Sequence, residues 1–400
     1  MSWGEIAQAR LADIAACSLA SSGVTRLPFT DQHREAIAQI SDWMVAAGLS
    51  PTMDAAGTLV GHKPGQGPAL LIGSHQDTVR DAGRYDGVMG VALACLAVEK
   101  LSAEGYAPPF PIDVLAFADE EGVRFPTALL GPRALAGTVD PAIFALSDAD
   151  GTTLGEALRS FDGDPDQIAT LARDPAGVRG YLEVHIEQGP VLENSNLALG
   201  VVTGICGIER NRVTFKGETG HAGTVPMQGR ADALVAASEF IALVHDAAPG
   251  DVRATVGAVR VHPGVVNAIP DQVDLTLEIR DISDATRTEF ARAAEGIGLD
   301  IAARRGCDFL IARTYVQPAV PCNPDLMVAL SQAVTKVQGQ SIDLPSGATH
   351  DASAMADLCP VGMLFLRCKG GISHRPDEHA SAEDMGLAID ALAEVLRTLD

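Results

Sequence analysis

Apolar stretches of strand length alternate with helical stretches through the first half of the chain, and this alternation limits the fold more than any other feature. The strand-like segments are the apolar "PALLIGSH" (68–75) and "IDVLAFADEEG" (112–122), and "YLEVHIEQGP" (181–190), which alternates with period two. The segment "GVALACLAVEKLSAEG" (90–105) has helical periodicity with a glycine stop. Strands separated by helices predict an α/β sheet. In such sheets ligands gather beyond the carboxyl ends of the strands, so polar residues at those ends are candidates for a functional site.

A different pattern occupies residues 206–318. It predicts a strand in "ERNRVTFKGE", a helix in "RADALVAASEFIALVHDA", strands in "RATVGAVRV" and "DQVDLTLEIRD", a helix in "ATRTEFARAAEGIGLDIAARRG" and a strand in "CDFLIARTYV". The order β-α-β-β-α-β is that of a ferredoxin-like open sandwich. Candidate functional residues occur again after it, in "SGATHDASAM" and "GGISHRPDEH". We therefore expect an α+β domain at 206–318 inserted into a larger domain formed by 1–205 and 319–400.

Composition restricts the partners and the compartment. The 29 basic and 52 acidic residues give a formal charge of −23, which repels phosphate backbones and anionic membranes, so neither nucleic acid nor a membrane is an expected partner. The seven cysteines form no CxxC pair, as expected for reduced thiols. The first residues have the pattern of an amphipathic helix and not of a signal peptide, and no apolar run reaches about 18 residues. We expect a soluble, cytoplasmic protein.

The stretch "GSHQDTVRDAGRYDGVMGV" (73–91) places several ionisable groups in a glycine-rich turn after a buried strand. His75 and Asp86 are far enough apart to face one ion across the turn. Asp77 lies on the same side of an extended segment as His75, so its carboxylate is expected to accept the other imidazole N–H. The alternative is a turn whose aspartates cap backbone N–H groups.

Further donors lie at or after the ends of other candidate strands. Glu120 and Glu121 are adjacent and point in different directions, so one can bind a cation while the other takes a proton. His185 and His374 complete a set of nitrogen and carboxylate donors without thiolates, which suits Zn²⁺, Mn²⁺, Co²⁺ or Ni²⁺. With one of the two glutamates left free to take a proton, five candidate ligands remain. Five are too many for one tetrahedral ion, but they fit two ions bridged by one carboxylate. A serine hydrolase is disfavoured, because the chain has no G-x-S-x-G elbow.

The chain resembles the amidase, hydantoinase and carbamoylase branch of the M20 metallopeptidase-like hydrolases. That branch includes N-carbamoyl-L-amino-acid hydrolases, allantoate amidohydrolases, ureidoglycolate hydrolases and β-ureidopropionases. The resemblance runs in the family's order from about residue 70 to 385. The matching pieces are "GSHQDTV", "GRYDGVMGV", "DEEGVRF", "LLGPRALAG", "HIEQGPVLE", "GHAGTVPM", "NAIPDQVDLTLEIRD", "SGATHDA" and "GISHRPDE".

The resemblance implies a zinc-peptidase-like catalytic domain with a mixed sheet, and a dimerisation and lid domain at 206–318 that makes a homodimer. It implies two divalent metal ions bridged by Asp86, one also held by His75 and His185, the other by Glu121 and His374. Glu120 would be the general base. We count Asp77 among the catalytic residues because of its expected contact with His75. The implied activity is cleavage of the C–N bond of a ureido or N-carbamoyl group on a small carboxylate substrate, by water that bridges the two ions.

The resemblance also implies a substrate-binding set. Its members in the inserted domain are His221, Asn267 and Arg280, and His221 would also stabilise the oxyanion. The planar guanidinium of Arg280 is suited to a substrate carboxylate. Closure of the inserted domain would bring Arg280 to the metals. The alternative for Arg280 is a surface ion pair. Two residues depart from the family pattern, Thr349 and Arg375, and Arg375 either adds an anion contact or caps the helix beginning near Ser381. The remaining members implied near the pocket are Gln188 and His350.

Two other functions compete with a carbamoyl hydrolase. One is an aminoacylase or dipeptidase of the same superfamily, which would differ in the acyl group and not in the metal centre. The other is a metal-binding homologue without activity, but a scaffold has no need of a free carboxylate such as Glu120 beside its ligands. The metal and the ureido substrate are left open by the sequence.

Overall fold

The computed structural model describes residues 1–399, which divide into two compact units. Unit 1 comprises residues 1–203 and 322–344 and the chain from 349 onward, and unit 2 comprises residues 204–321 and 345–348. The structure thus places the main boundaries two to three residues from those expected, at 203/204 and 321/322. It also assigns to unit 2 a short segment, 345–348, that the sequence pattern did not indicate.

The elements are numbered in chain order. The helices are α1 (Trp3–Ile14), α2 (Asp31–Ala46), α3 (Val88–Ala103), α4 (Leu130–Ala136), α5 (Leu154–Ser160), α6 (Val191–Asn194), α7 (Ala233–Ala247), α8 (Asp284–Arg305), α9 (Pro324–Gln338), α10 (Asp351–Met355) and α11 (Ala382–Thr398). Short 3₁₀ turns occur at Pro141–Ala145, Pro165–Leu171, Pro175–Gly177 and Lys369–Gly371. The strands are β1 (Ser50–Met53), β2 (Leu59–Lys63), β3 (Ala69–His75), β4 (Ile112–Phe117), β5 (Val178–Ile186), β6 (Leu199–Ile205), β7 (Gly207–Lys216), β8 (Arg253–Thr255), β9 (Val259–His262), β10 (Gln272–Asp281), β11 (Asp308–Gln317), β12 (Val320–Pro321), β13 (Asp343–Ser346) and β14 (Val361–Leu366).

The larger sheet is mixed, with the strand order β1-β2-β4-β3-β5-β14-β6-β12, and β13 pairs with β6. The central strands β4, β3, β5 and β14 are parallel, whereas β1, β2 and β6 run antiparallel to their neighbours. The chain passes from β3 to β4 on one side, and β5 lies on the other side of β3. This reversal is a topological switch point, where α/β sheets open a crevice at the carboxyl ends of their strands.

Burial explains why the sequences of β3 and β4 are nearly continuous apolar runs. All six residues of β4 are buried, and so are six of the seven in β3, as expected for parallel strands covered on both faces. Helix α3 is buried on most sides and packs on β3 and β5. Each large aliphatic side chain removed from water in such a core stabilises the fold by roughly 1.5–3 kcal/mol.

Unit 2 has an antiparallel sheet with the order β11-β7-β10-β8, and β9 also pairs with β10. Alternate residues of β10 are buried, because helices α7 and α8 cover one face of this sheet. The prediction of one strand at 253–261 was wrong in detail. Residues 256–258 interrupt it, so that β8 and β9 pair separately with opposite ends of β10.

No helix within residues 1–399 is both long and apolar enough to cross a membrane.

Candidate metal centre

The predicted metal ligands lie together at the carboxyl edge of the parallel strands of unit 1. His75 is the last residue of β3, Glu120 and Glu121 follow β4, and His185 is the penultimate residue of β5. Strands β3 and β4 are in register at His75 and Phe117, so the loop after β4 begins beside His75. His374 follows β14 by a longer loop and has φ +56°.

Asp86 is the centre of this arrangement. Its Oδ1 lies 3.1 Å from Nε2 of His185 and 3.5 Å from Nε2 of His75. Its Oδ2 lies 3.2 Å from Nε2 of His374. The two oxygens of one carboxylate therefore face two different groups of donors.

Each group can hold an ion. One ligand atom from each of His75, Asp86 and His185 lies within 4.8 Å of the others, and the same is true of Asp86, Glu121 and His374. A third set of three at this spacing consists of His75, Glu120 and Glu121. The centre is buried on the side of the first group, where His75, Asp86 and His185 are each 2% exposed. It opens towards solvent at His374, whose side chain is half exposed.

The hydrogen bonds at the histidines fit metal ligation. Nδ1 of His185 bonds the carbonyl of Ile186 at 2.9 Å, and Nδ1 of His75 bonds the carbonyl of Asp77 at 2.9 Å. These acceptors require a proton on Nδ1, which leaves Nε2 of the neutral ring with a lone pair directed at Asp86. The buried Nε2 of His185 and Oε1 of Glu121 have no hydrogen-bond partner. Unpartnered buried acceptors in both groups of ligands are atoms that bound cations would satisfy.

The electrostatics of the centre reflect burial and mutual contact. Burial would raise the pKa of Asp86, but the adjacent imidazoles of His185, His374 and His75 hold it well below its usual value. Burial raises the pKa of Glu121 to about 7, and the charge of Asp86 adds to this effect. Burial also raises the pKa of Glu120 well above normal, and so do the nearby carboxylates, chiefly that of Glu121. Concentrated negative charge of this kind is stabilised by bound cations.

The predicted hydrogen bond from His75 to the carboxylate of Asp77 was wrong. Its Oδ1 lies 3.8 Å from Nδ1 of His75, beyond hydrogen-bond distance, because the Asp77 carbonyl has that contact instead. The carboxylate accepts the backbone N–H groups of Glu120 at 3.1 Å and Glu121 at 3.2 Å. Asp77 thus fixes the backbone of the two glutamates.

Glycine is required at one position of this centre. Gly87 has φ +66°, and a Cβ at this position would lie 2.3–2.5 Å from the imidazole ring of His75. Any larger residue would displace the ring, since real Cβ contacts are not this short. The turn that brings Asp86 to His75 therefore depends on Gly87.

Gln188 and His350 lie next to the ligands in unit 1. The side-chain amide of Gln188 donates to Oδ2 of Asp86 at 3.0 Å and lies 3.2 Å from Nε2 of His374. His350 is 1% exposed, and its ring packs against that of His185 with a centroid distance of 4.4 Å. Gln188 is therefore placed at the open side of the centre and His350 at its buried side.

The three predicted substrate-binding residues of unit 2, His221, Asn267 and Arg280, do not lie together in a single chain. The exposed residues His221 and Asn267 are close, because Ala222 donates its N–H to the carbonyl of Asn267 and His221 pairs with Ala268 in an isolated bridge. Both lie beyond the amino end of β10, whereas Arg280 lies at its carboxyl end. A strand of that length spans roughly 30 Å at about 3.3 Å per residue.

Arg280 forms a surface ion pair, which was the alternative to its predicted role in binding a substrate carboxylate. Its Nε donates to Glu278 at 2.8 Å, and one terminal nitrogen donates to the carbonyl of Gly347 at 2.6 Å. Arg375 pairs with Asp377 at 2.8 Å, and the cap of α11 is Ser381, so Arg375 does not cap that helix.

Two carboxylates of the centre were not singled out from the sequence. Glu183 is buried on β5 and accepts from the hydroxyl of Ser74 and the N–H of Ala352. Its alternation with His185 along the strand was the available signal. Glu378 is buried in the loop after His374 and accepts from the backbone N–H of Asp86. Nothing in the local pattern distinguishes it from other acidic loop residues.

Parallel strands that deliver histidines and carboxylates to one edge define an α/β protein with a candidate metal centre. The chain belongs to peptidase family M20/M25/M40, whose model matches residues 71–398.

Individual relatives cover nearly the whole chain. It is 38% identical to an N-carbamoyl-L-amino acid amidohydrolase of Geobacillus stearothermophilus, over 93% of this chain and 92% of the relative. It is 39% identical to an allantoate deiminase of Arabidopsis thaliana, over 98% of this chain and 82% of that relative. Among solved structures, an amidase of the hydantoinase/carbamoylase family from Burkholderia multivorans has a TM-score of 0.89 at 31% identity, covering 98% of this chain and 97% of that one.

Proposed function

We propose that this protein is a metal-dependent amidohydrolase that cleaves the C–N bond of a ureido or N-carbamoyl group on a small carboxylate substrate. The main observation behind the proposal is that the two carboxylate oxygens of Asp86 face separate groups of donors. Oδ1 lies 3.1 Å from Nε2 of His185, and Oδ2 lies 3.2 Å from Nε2 of His374. The similarity to N-carbamoyl-L-amino acid amidohydrolases and allantoate deiminases supports this reaction over other hydrolyses.

We further propose that the centre holds two divalent transition-metal ions. One would be held by His75, Asp86 and His185, the other by Asp86, Glu121 and His374. When bound, such ions polarise a carbonyl oxygen and lower the pKa of a coordinated water toward about 7.

Glu120 is the proposed general base. It is 8% exposed, and its Oε2 lies 4.0 Å from Nε2 of His75, so it is beside the ligands. The Asp77 carboxylate fixes its backbone. From this position Glu120 would take a proton from the attacking water and deliver it to the leaving nitrogen, which contributes about 10²- to 10⁴-fold to the rate of such reactions.

The proposed substrate-binding residues are Gln188, His221, Asn267, Arg280 and His350. Gln188 supports this role by its place at the open side of the centre. Arg280 offers a planar fork for a carboxylate, and His221 would stabilise the oxyanion. The separation of Arg280 from His221 and Asn267 along β10 favours a homodimer, since the two ends of this strand could then serve the sites of two copies.

The experiment is removal of metal with a chelator, followed by addition of Mn²⁺, Zn²⁺, Co²⁺ or Ni²⁺ and assay of N-carbamoyl-L-amino acids, allantoate, ureidoglycolate, β-ureidopropionate and acyl-amino acids. Ammonia release that depends on the added ion is expected with at least one ureido substrate. Release of a free carboxylic acid from acyl-amino acids alone would identify an aminoacylase instead. Activity that survives complete removal of metal would refute the proposal.

A further inference from the structure

We propose that Glu378 is a positioning residue that joins the loop carrying Asp86 to the loop carrying His374, and thereby sets the affinity for one of the two ions. The inference rests on the proposed two-ion centre. It concerns the half of the centre formed by Asp86, Glu121 and His374, here called the outer half-site. The half formed by His75, Asp86 and His185 is called the inner half-site.

The outer half-site depends on a residue that no regular element holds. His374 lies in an irregular loop with φ +56°, and its side chain is half exposed. By contrast, His75 and His185 lie in buried strands. The inner half-site is therefore fixed by the sheet, whereas the outer half-site needs another constraint to place His374 opposite Oδ2 of Asp86.

Glu378 supplies contacts to both loops. Its side chain is buried, and its Oε1 accepts the backbone N–H groups of Tyr85 at 3.2 Å and Asp86 at 3.1 Å. Its Oε2 accepts the hydroxyl of Ser373, the residue before His374, at 2.7 Å. One carboxylate thus ties the backbone of the bridging aspartate to the residue adjoining the exposed histidine.

The structure makes room for this carboxylate. A Cβ on Gly83 would lie 2.4 Å from Cβ of Glu378 and 2.5 Å from its Oε1. A second contact joins the same two loops, since the hydroxyl of Tyr85 lies 3.3 Å from Nδ1 of His379. Ser373 also accepts from the amide of Gln188 at 3.2 Å, so the link from Glu378 extends to that amide as well.

The experiment measures ion binding directly. Apo wild type, Glu378→Ala, Glu378→Gln and Ser373→Ala are titrated with Mn²⁺ by calorimetry, and bound Mn²⁺ is counted after gel filtration. Wild type is expected to bind two ions. Glu378→Ala should weaken one of them by about 10- to 100-fold, the usual effect of losing a partner that orients ligands, and leave the other within about threefold.

The variants separate positioning from a general loss of stability. Glu378→Gln keeps an acceptor for the two backbone N–H groups, so it should retain more affinity than Glu378→Ala. Ser373→Ala removes the link from Glu378 to the histidine loop, together with the contact to Gln188, and should weaken the same ion by at least threefold. Asp54→Asn, which removes another, partly buried carboxylate that accepts two backbone N–H groups, should leave both affinities unchanged.

The outcomes are distinguishable. Wild type that binds fewer than two ions would overturn the two-ion centre itself. Wild type with two ions and Glu378→Ala with the same two affinities would overturn the positioning role. If Glu378→Ala does not fold, as judged by circular dichroism, unchanged affinities for both ions in Ser373→Ala would overturn the positioning role equally.

Discussion

Nε2 of His185 lies 3.1 Å from Oδ1 of Asp86 at the bottom of the centre, while the other ring nitrogen of His185 is committed to the carbonyl of Ile186. A neutral imidazole held this way directs a lone pair at a carboxylate. The contact is favourable only with a cation or a proton between the two atoms. Since Oδ2 of the same carboxylate faces His374, Asp86 is the residue on which both half-sites depend.

Replacement of Asp86 by alanine is expected to abolish binding of both ions, because it removes one ligand from each half-site. Metal analysis after dialysis measures the change. Asp377→Ala is the control, since Asp377 is an exposed carboxylate in the same loop as His374 that pairs with Arg375. Two ions retained by Asp86→Ala would show that this carboxylate is not the bridge.

Glu120→Gln is expected to lower kcat by about 10²- to 10⁴-fold while both ions remain bound, because the amide cannot take a proton. Glu121→Gln should instead weaken ion binding, since Glu121 belongs to the outer half-site. The measurements are steady-state kinetics and metal content of both variants. Near-normal kcat in Glu120→Gln would exclude it as the base.

Gly87→Ala should reduce ion affinity and stability together, because the added Cβ would meet the ring of His75 at 2.3 Å. Gly67→Ala is the matched control. Gly67 also has positive φ, +81°, but nothing lies within 4 Å of an added Cβ. Both variants incur backbone strain of about 1–3 kcal/mol, so a lower melting temperature or ion affinity specific to Gly87→Ala isolates the contact with His75. Equal effects at both positions would contradict it.

Arg280→Ala is expected to raise KM by about 10- to 100-fold, the effect of losing hydrogen bonds from a charged donor, while bound metal stays unchanged. Arg210→Ala is the control, since Arg210 also pairs with Glu278, at 2.7 Å, and should leave KM unaltered. Equal loss of metal and activity in Arg280→Ala would defeat its assignment as a carboxylate-binding residue.

Asp54→Asn should stabilise the protein at neutral pH but not in acid. Burial raises the pKa of Asp54 from 3.8 to about 6, so the folded state disfavours the charged form. The free-energy cost of ionising Asp54 in the folded state is absent below the pKa of the unfolded chain. It grows as the pH rises from about 4 to 6 and is constant at higher pH. Asparagine avoids this cost and keeps the oxygen that accepts from Ala56 and Thr58. The expected gain is at most about 3 kcal/mol.

Thermal unfolding of wild type and Asp54→Asn between pH 5 and pH 8 measures this dependence. The difference in melting temperature should grow between pH 5 and pH 7 and then level off. A difference that is constant across this range would show that the carboxyl group of Asp54 titrates normally.

The sequence by itself determined the strands and the ligand types. The apolar runs of β3 and β4 and the period-two alternation of β5 predicted these strands and the polar residues at their ends, and with them His75, Glu120, Glu121 and His185. The motifs placed the chain in its family, which the match to residues 71–398 confirmed. These features are local, because they depend on hydrophobic period and on residue type.

Only the tertiary structure decided which atoms meet. Whether a carboxylate bonds an imidazole or a backbone N–H depends on a few tenths of an ångström, which is why Asp77 holds the glutamates and its carbonyl orients His75. Glu378 comes to the N–H of Asp86 from 292 residues away, and no spacing in the sequence encodes that approach. The opposite positions of Asn267 and Arg280 along β10 likewise follow from strand pairing, since residues close in sequence can be far apart along an extended strand.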